Sequence, residues 1–119
     1  MSLQIVDGAR AAPPVLERDR ALCHRAAGAV SVMMQVPVRD VMGRTRASRA
    51  SRARQLAMYV ANVVYGVGMT ACARAFGRDR STVSYACRRV EDERDDPAFD
   101  QRLDALERLI RDEAASDAQ

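Results

Sequence analysis

The 119-residue sequence is 48% hydrophobic but only 4% aromatic, holds no tryptophan, and sets 19 basic against 16 acidic residues for a net charge of +3. That length accommodates one domain with a real core and leaves no room for a second catalytic module, and a core built from Ala, Val, Leu and Met favours helices over strands. No apolar run approaches the ~18 residues needed to span a bilayer and no charged-then-apolar signal opens the chain, so a soluble, cytoplasmic protein is expected.

Residues 1–14 show no sustained period and end in Pro13 and Pro14, which predicts a flexible N-terminal arm. From 15 to about 35, Leu22, Ala26, Ala29, Val30 and Met33 recur at helical spacing, with Glu17, Arg18, Asp19, Arg20 and Arg25 largely elsewhere. This pattern predicts a first amphipathic helix. Pro37 opens and Gly43 closes VPVRDVMG, in which Val38, Val41 and Met42 are placed to pack one face of a single helical turn.

Residues 44–54, RTRASRASRAR, hold five arginines among small residues. The first half lacks an apolar stripe, which predicts an exposed basic loop with Ser51 capping the next helix. Arg52, Arg54 and Gln55 fall in that helix's first turn, and Leu56, Val60, Val63, Val64 and Val67 form its core stripe until Gly66 and Gly68 interrupt it.

The stretch TACARAFGRDRSTVSYACRRV, residues 70–90, reads as two short helices around a tight turn at Gly77. Asp79 occupies the N-cap place of the second helix, which starts with free backbone N–H groups. Val83, Ala86, Cys87 and Val90 make one apolar stripe at i, i+3, i+4 and i+7, leaving Ser81, Tyr85, Arg88 and Arg89 outside. This is a helix-turn-helix pattern, whose second helix commonly enters the DNA major groove. Asp96 and Pro97 then start a final helix with Phe99, Leu103, Leu106 and Ile110 inward and an acidic outer face. The expected layout is a helical domain over 15–113 and a flexible tail over 114–119.

The small net charge hides a segregation. Residues 1–40 carry five arginines and four acids, residues 41–90 ten arginines and one acid, and residues 91–119 four arginines and eleven acids. A middle segment at +9 that contains the helix-turn-helix pattern is the electrostatic footprint of a nucleic-acid-binding surface. Cys23, Cys72 and Cys87 are odd in number and widely spaced in helical patterns, so buried free thiols are expected rather than a disulfide or zinc site. The lone His24 has no partner at metal-ligand spacing, and no nucleophile–base pair or paired carboxylates stand out. Neither a catalytic site, nor a metal, nor a cofactor is expected.

The run RQLAMYVANVVYGVGMTACARAFGRDRSTVSYACRRV, residues 54–90, resembles the C-terminal DNA-binding domain of DnaA, the bacterial chromosomal replication initiator. That domain has an RQ(I/M)AM helix start, a helix ending in FG, and a signature close to RDHTTVLHACRKI. Here RQLAM, AFG and RDRSTVSYACRRV stand at the matching places, and the upstream helix, bracket and arginine stretch follow in the same order. The resemblance implies an all-α, TrpR-like helix-turn-helix bundle of about five to six helices that binds double-stranded DNA at initiator-box-like sites.

By that resemblance, Arg46 matches an arginine that enters the minor groove, and Arg54 and Gln55 match residues that hold phosphates. Asp79, Arg80, Ser81 and Thr82 match the start of the recognition helix. Arg52, Arg78, Tyr85, Arg88 and Arg89 complete the expected DNA-binding set on charge and position. Arg80 stands where the family has histidine, Ser81 replaces threonine, and the AFGRD turn is one residue shorter than the double-glycine form, so groove binding carries over better than sequence preference. A GxxxxGK[ST] phosphate loop cannot be written without lysine, and the chain has none. The expectation is a domain that acts without the initiator's ATPase module, nucleoid-associated, regulating replication initiation or transcription. The competing reading is a protein-interaction adaptor that modulates the replication-initiation machinery through a protein partner.

Overall fold

The computed structural model describes residues 15–117. The expected arm over 1–14 lies outside them, as do residues 118 and 119. The first helix, α1, spans Glu17–Met34 and buries Cys23, Ala26, Ala27 and Val30. Three of these four side chains are small, so neighbouring helices can approach it closely. Gln35 ends the helix in the left-handed region at φ 57°. The Val36 N–H then donates back to the Ser31 carbonyl at 3.2 Å, the bond of a Schellman closure, and Val36 itself is buried. Pro37 leads into α2, Val38–Met42. Val41 is fully buried, whereas Val38, expected on the same face, is 39% exposed, because so short a helix covers only its Val41 side.

Two expectations about the arginine stretch are corrected. Helix α3 runs Ser48–Tyr59, so the loop shrinks to residues 44–47, and Ser51 is an interior residue whose N–H donates to the Ala47 carbonyl at 2.9 Å. The inward positions of the first turns are Ala50 and Ala53, both buried. Alanine supplies the strongest helix propensity and needs little room, so a stripe that looked absent is present but small. Thr45 Oγ1 accepts the Ala47 N–H at 3.3 Å just before the helix begins.

After Tyr59 the helix widens into a π turn, Val60–Val64, closed by Tyr65 N–H to Val60 O at 3.0 Å and Val67 N–H to Ala61 O at 2.9 Å. The widened turn shifts the phase of the apolar stripe. Val60 and Val67 are buried as expected, but Val63 rotates outward to 49% exposure. Asn62 Nδ2 donates to the Val67 carbonyl at 2.8 Å and pins the exit.

Helices α4, Met69–Phe76, and α5, Arg80–Glu93, form the helix-turn-helix. Phe76 is 2% exposed and, with Met58, is among the largest fully enclosed side chains; burying a side chain of this kind contributes roughly 1.5–3 kcal/mol. The stripe of α5 packs as its spacing predicts, with Val83, Ala86 and Val90 buried and Cys87 half-buried. Cys23 and Cys72 are buried, and all three thiols are free. Among the described residues no helix is long and apolar enough to cross a membrane, and no group of three or more His, Cys, Asp or Glu side chains is arranged to hold a metal ion.

The last helix, α6, spans Pro97–Asp117 and buries Leu103, Leu106 and Ile110. It continues past residue 114, where a tail was expected, because Ala114 and Ala115 favour helix and Arg25 Nη2 lies 3.4 Å from Asp117 Oδ2 and 3.8 Å from Glu113 Oε1. Its acids are not all outward. Arg94 Nε meets Asp100 Oδ1 at 2.5 Å, Nη2 meets Asp104 Oδ1 at 2.5 Å, and Nη1 meets Glu107 Oε2 at 2.7 Å. The same Nη1 donates to the Tyr59 hydroxyl at 3.1 Å, so one guanidinium ties the end of α5, the end of α3 and three positions of α6 together.

Candidate nucleic-acid interface

Entry into α5 is set by the turn before it. Gly77 takes φ 66°, its N–H donates to the Arg74 carbonyl at 3.2 Å, and the Arg78 N–H donates to the Ala73 carbonyl at 2.8 Å. This pair of bonds is a Schellman closure of α4. Asp79 occupies the N-cap in extended conformation, but its side chain makes no cap hydrogen bond; only its carbonyl is used, accepting from Thr82 and Val83 N–H at 3.0 and 3.3 Å. The carboxylate stays exposed beside Arg80 and Ser81, also exposed, with Thr82 half-buried. The start of α5 therefore presents a helix N-terminus to solvent, a place that suits anions.

Farther along the outer face, Tyr85 is 51% exposed, and Arg88 and Arg89 are exposed. Arg88 Nη1 donates to Ser84 Oγ at 3.0 Å, one turn back on the same helix. Of these outward residues Ser81, Tyr85 and Arg88 share one face, with Arg80 and Arg89 at its two edges. The face ends where α5 turns acidic, at Glu91, Asp92 and Glu93.

Three of the arginines expected at this surface are engaged within the molecule. Arg54 is only 6% exposed. Its Nε donates to Val41 O at 2.9 Å, and its Nη2 to Asp40 O at 2.7 Å and Thr45 O at 3.1 Å. Burial pushes its pKa down, the neighbouring Arg78 charge adds to this, and Asp40 opposes it; an arginine so placed keeps its proton near neutral pH. Arg78 Nη2 donates to Gly43 O at 2.9 Å and Nη1 to Phe76 O at 3.0 Å. Arg52 pairs with Glu93 at the far end of α5.

Those commitments shape the surface. Two guanidinium groups take four carbonyls, those of Asp40 and Val41 at the end of α2 and those of Gly43 and Thr45 in the α2–α3 connector. Because Arg78 belongs to the turn before α5, the connector is fastened directly to the entry of α5. Arg46, in the same connector, is exposed, and Gln55, in α3, is half-buried. Arg44, which sequence reasoning did not single out as a contact, is exposed next to Arg46. Arg49 is also exposed but spends its Nη2 on the Met34 carbonyl at the end of α1.

Comparison with known proteins points the same way. The family model for the helix-turn-helix of bacterial DnaA protein matches residues 25–90. The chromosomal replication initiator DnaA 2 of Chlamydia trachomatis is 40% identical over 62 residues, 52% of this chain and 14% of the initiator. The initiator DnaA of Acinetobacter baumannii is 38% identical over 84 residues, 69% of this chain and 18% of the initiator. A crystal structure of a DNA replication initiation factor superposes with a TM-score of 0.72 at 32% identity, covering 80% of this chain and 30% of that one. The chain thus spans less than a fifth of the length of these two DnaA initiators. With more than half of its residues inside the family model, the chain belongs to the family of bacterial DnaA helix-turn-helix domains.

Proposed function

We propose that this protein binds double-stranded DNA in a sequence-specific manner and regulates replication initiation or transcription at sites related to the initiator's box. The observation that carries the reading is the exposed cationic face of α5 beside the Arg46 connector, the two fixed to each other by the Arg78 to Gly43 bond. In this reading α5 lies in the major groove, with Asp79, Arg80, Ser81 and Thr82 at base edges. Arg46 enters the adjacent minor groove, and Tyr85, Arg88 and Arg89 meet phosphate or sugar. Arg54 and Arg78 act by holding the connector, with Gln55 and Arg52 at the margin of the surface.

Selection of bound sites from random duplexes, followed by a salt titration on the selected site, tests the reading. With about five or six phosphates neutralised, log affinity falls against log salt with a slope near −5. Absence of binding at low salt, or affinity indifferent to salt, overturns it. One observation favours the adaptor reading instead: Arg52, Arg54 and Arg78 are engaged within the molecule, which leaves fewer free cations than the sequence promises. A protein that fails the selection but retains its fold has kept the domain for protein contacts.

A further inference from the structure

On the side formed by α1 and α6, the two helices leave an apolar groove of about 480 Å³ whose lining includes no residue of α4 or α5. Its walls include the small residues Gly28, Ala29 and Ala105. Beside them Val32 and Leu109, which also line the groove, stand 80% and 58% exposed. Apolar residues scattered singly on a surface need no explanation. Here two bulky ones flank a hole of small ones, so the same surface offers both a knob and a socket, as a two-fold interface between identical chains requires.

The charges along α6 fit the same arrangement. Arg102, Ala105, Leu109 and Glu113 all line the groove, and their spacing of i, i+3, i+7 and i+11 puts them in one stripe. When two such stripes run antiparallel about a two-fold axis near residue 107, Leu109 of each copy faces Ala105 of the other. In that register position 102 lies opposite position 112, one residue from Glu113 and within reach of two long side chains, so large meets small and positive meets negative together. Both ends are open to a partner: among the described residues Arg102 makes no ion pair, and Glu113, 57% exposed, has only the 3.8 Å contact to Arg25.

We propose that this face pairs two copies of the chain, with α6 antiparallel to α6. The pairing leaves α4 and α5 uncovered, so it is separable from DNA binding. Sedimentation equilibrium on the full chain, up to roughly 1 mM to include weak association, is expected to show a mass rising from 13.1 kDa toward twice that value. Leu109→Glu, at an exposed position, should leave the helical circular dichroism intact and return the mass to that of the monomer. Arg102→Glu should weaken association about tenfold or more through like charge, and Glu113→Arg added to the same chain should restore it. A mass fixed at the monomer value, a dimer indifferent to Leu109→Glu, or a double reversal that fails to rescue overturns the pairing. Binding of one duplex site by the Leu109→Glu variant reads the DNA function separately.

Discussion

Arginine is the only basic residue type besides His24 in this chain, and the structure divides arginines of one stretch into opposite tasks. Arg80 is exposed at the start of α5, where its fork can pair with guanine O6 and N7 in a way the family's histidine cannot. Arg80→Ala is expected to cost about 1–3 kcal/mol at one guanine-containing position, and Arg80→His to move preference toward the initiator's box. A panel of single-base-pair substitutions measures this, and an unchanged ranking of sites would reduce Arg80 to a phosphate contact. Arg54 does the reverse: it is buried and satisfies the carbonyls of Val41, Asp40 and Thr45. Arg54→Ala strands those acceptors and should lower unfolding stability by about 1–3 kcal/mol in a urea titration. A variant with wild-type stability and weakened DNA binding would instead return Arg54 to the phosphates. Nothing in the sequence separates the two roles, because the deciding partners are backbone carbonyls 9 to 35 residues away.

At the scale of the elements, legibility followed the size of the inward side chains. The stripe of α5, Val83, Ala86 and Val90, and that of α6, Leu103, Leu106 and Ile110, pack as their spacing predicts, since bulky apolar residues announce a 3.6-residue period. The start of α3 was misread because its inward residues are Ala50 and Ala53 between arginines, and Val63 was misplaced because a π turn interrupts the period. Glycine marks the end of α4 directly, whereas the end of α1, read at about 35, is marked only by the stop of its apolar period before Pro37. Gly77 closes α4 at φ 66° with no atom within 4 Å of an added Cβ, so Gly77→Ala should cost about 1 kcal/mol through backbone strain alone. Gln35 holds the same conformation at the end of α1 with φ 57°, so Gln35→Gly should stabilise by about 0.5–1 kcal/mol. Thermal unfolding of both variants checks the pair of signs, and a shift in the same direction for both would contradict the strain account.

Across the whole molecule, the acidic C-terminal segment and the basic centre are joined by one residue that belongs to neither in function. Arg94 lies at the end of α5 and is 18% exposed, holding Asp100, Asp104 and Glu107 of α6 together with the Tyr59 hydroxyl of α3. The acids so engaged have their charge met by this cation, and Glu107 is largely covered at 12% side-chain exposure. The negative segment is thereby spent partly on folding rather than on opposing the cationic face of α5, while Glu91, Asp92 and Asp95 remain exposed where α5 ends. Removing this cation leaves three carboxylates close together without their partner. Asp100 and Asp104 keep 39% and 45% side-chain exposure, so water screens part of the loss, and Arg94→Met is expected to cost about 1–3 kcal/mol rather than the larger penalty of a fully buried pair. The loss should be local. Amide exchange in α6 should accelerate while α4 and α5, held by Phe76, Val83 and Ala86, keep their protection, and affinity for a selected duplex should stay within about threefold, inside the ±0.5–1 kcal/mol of a site that touches no phosphate. Exchange that rises equally in α5 and α6 would show instead that the Arg94 cluster supports the recognition helix itself, and DNA binding would then fall with it.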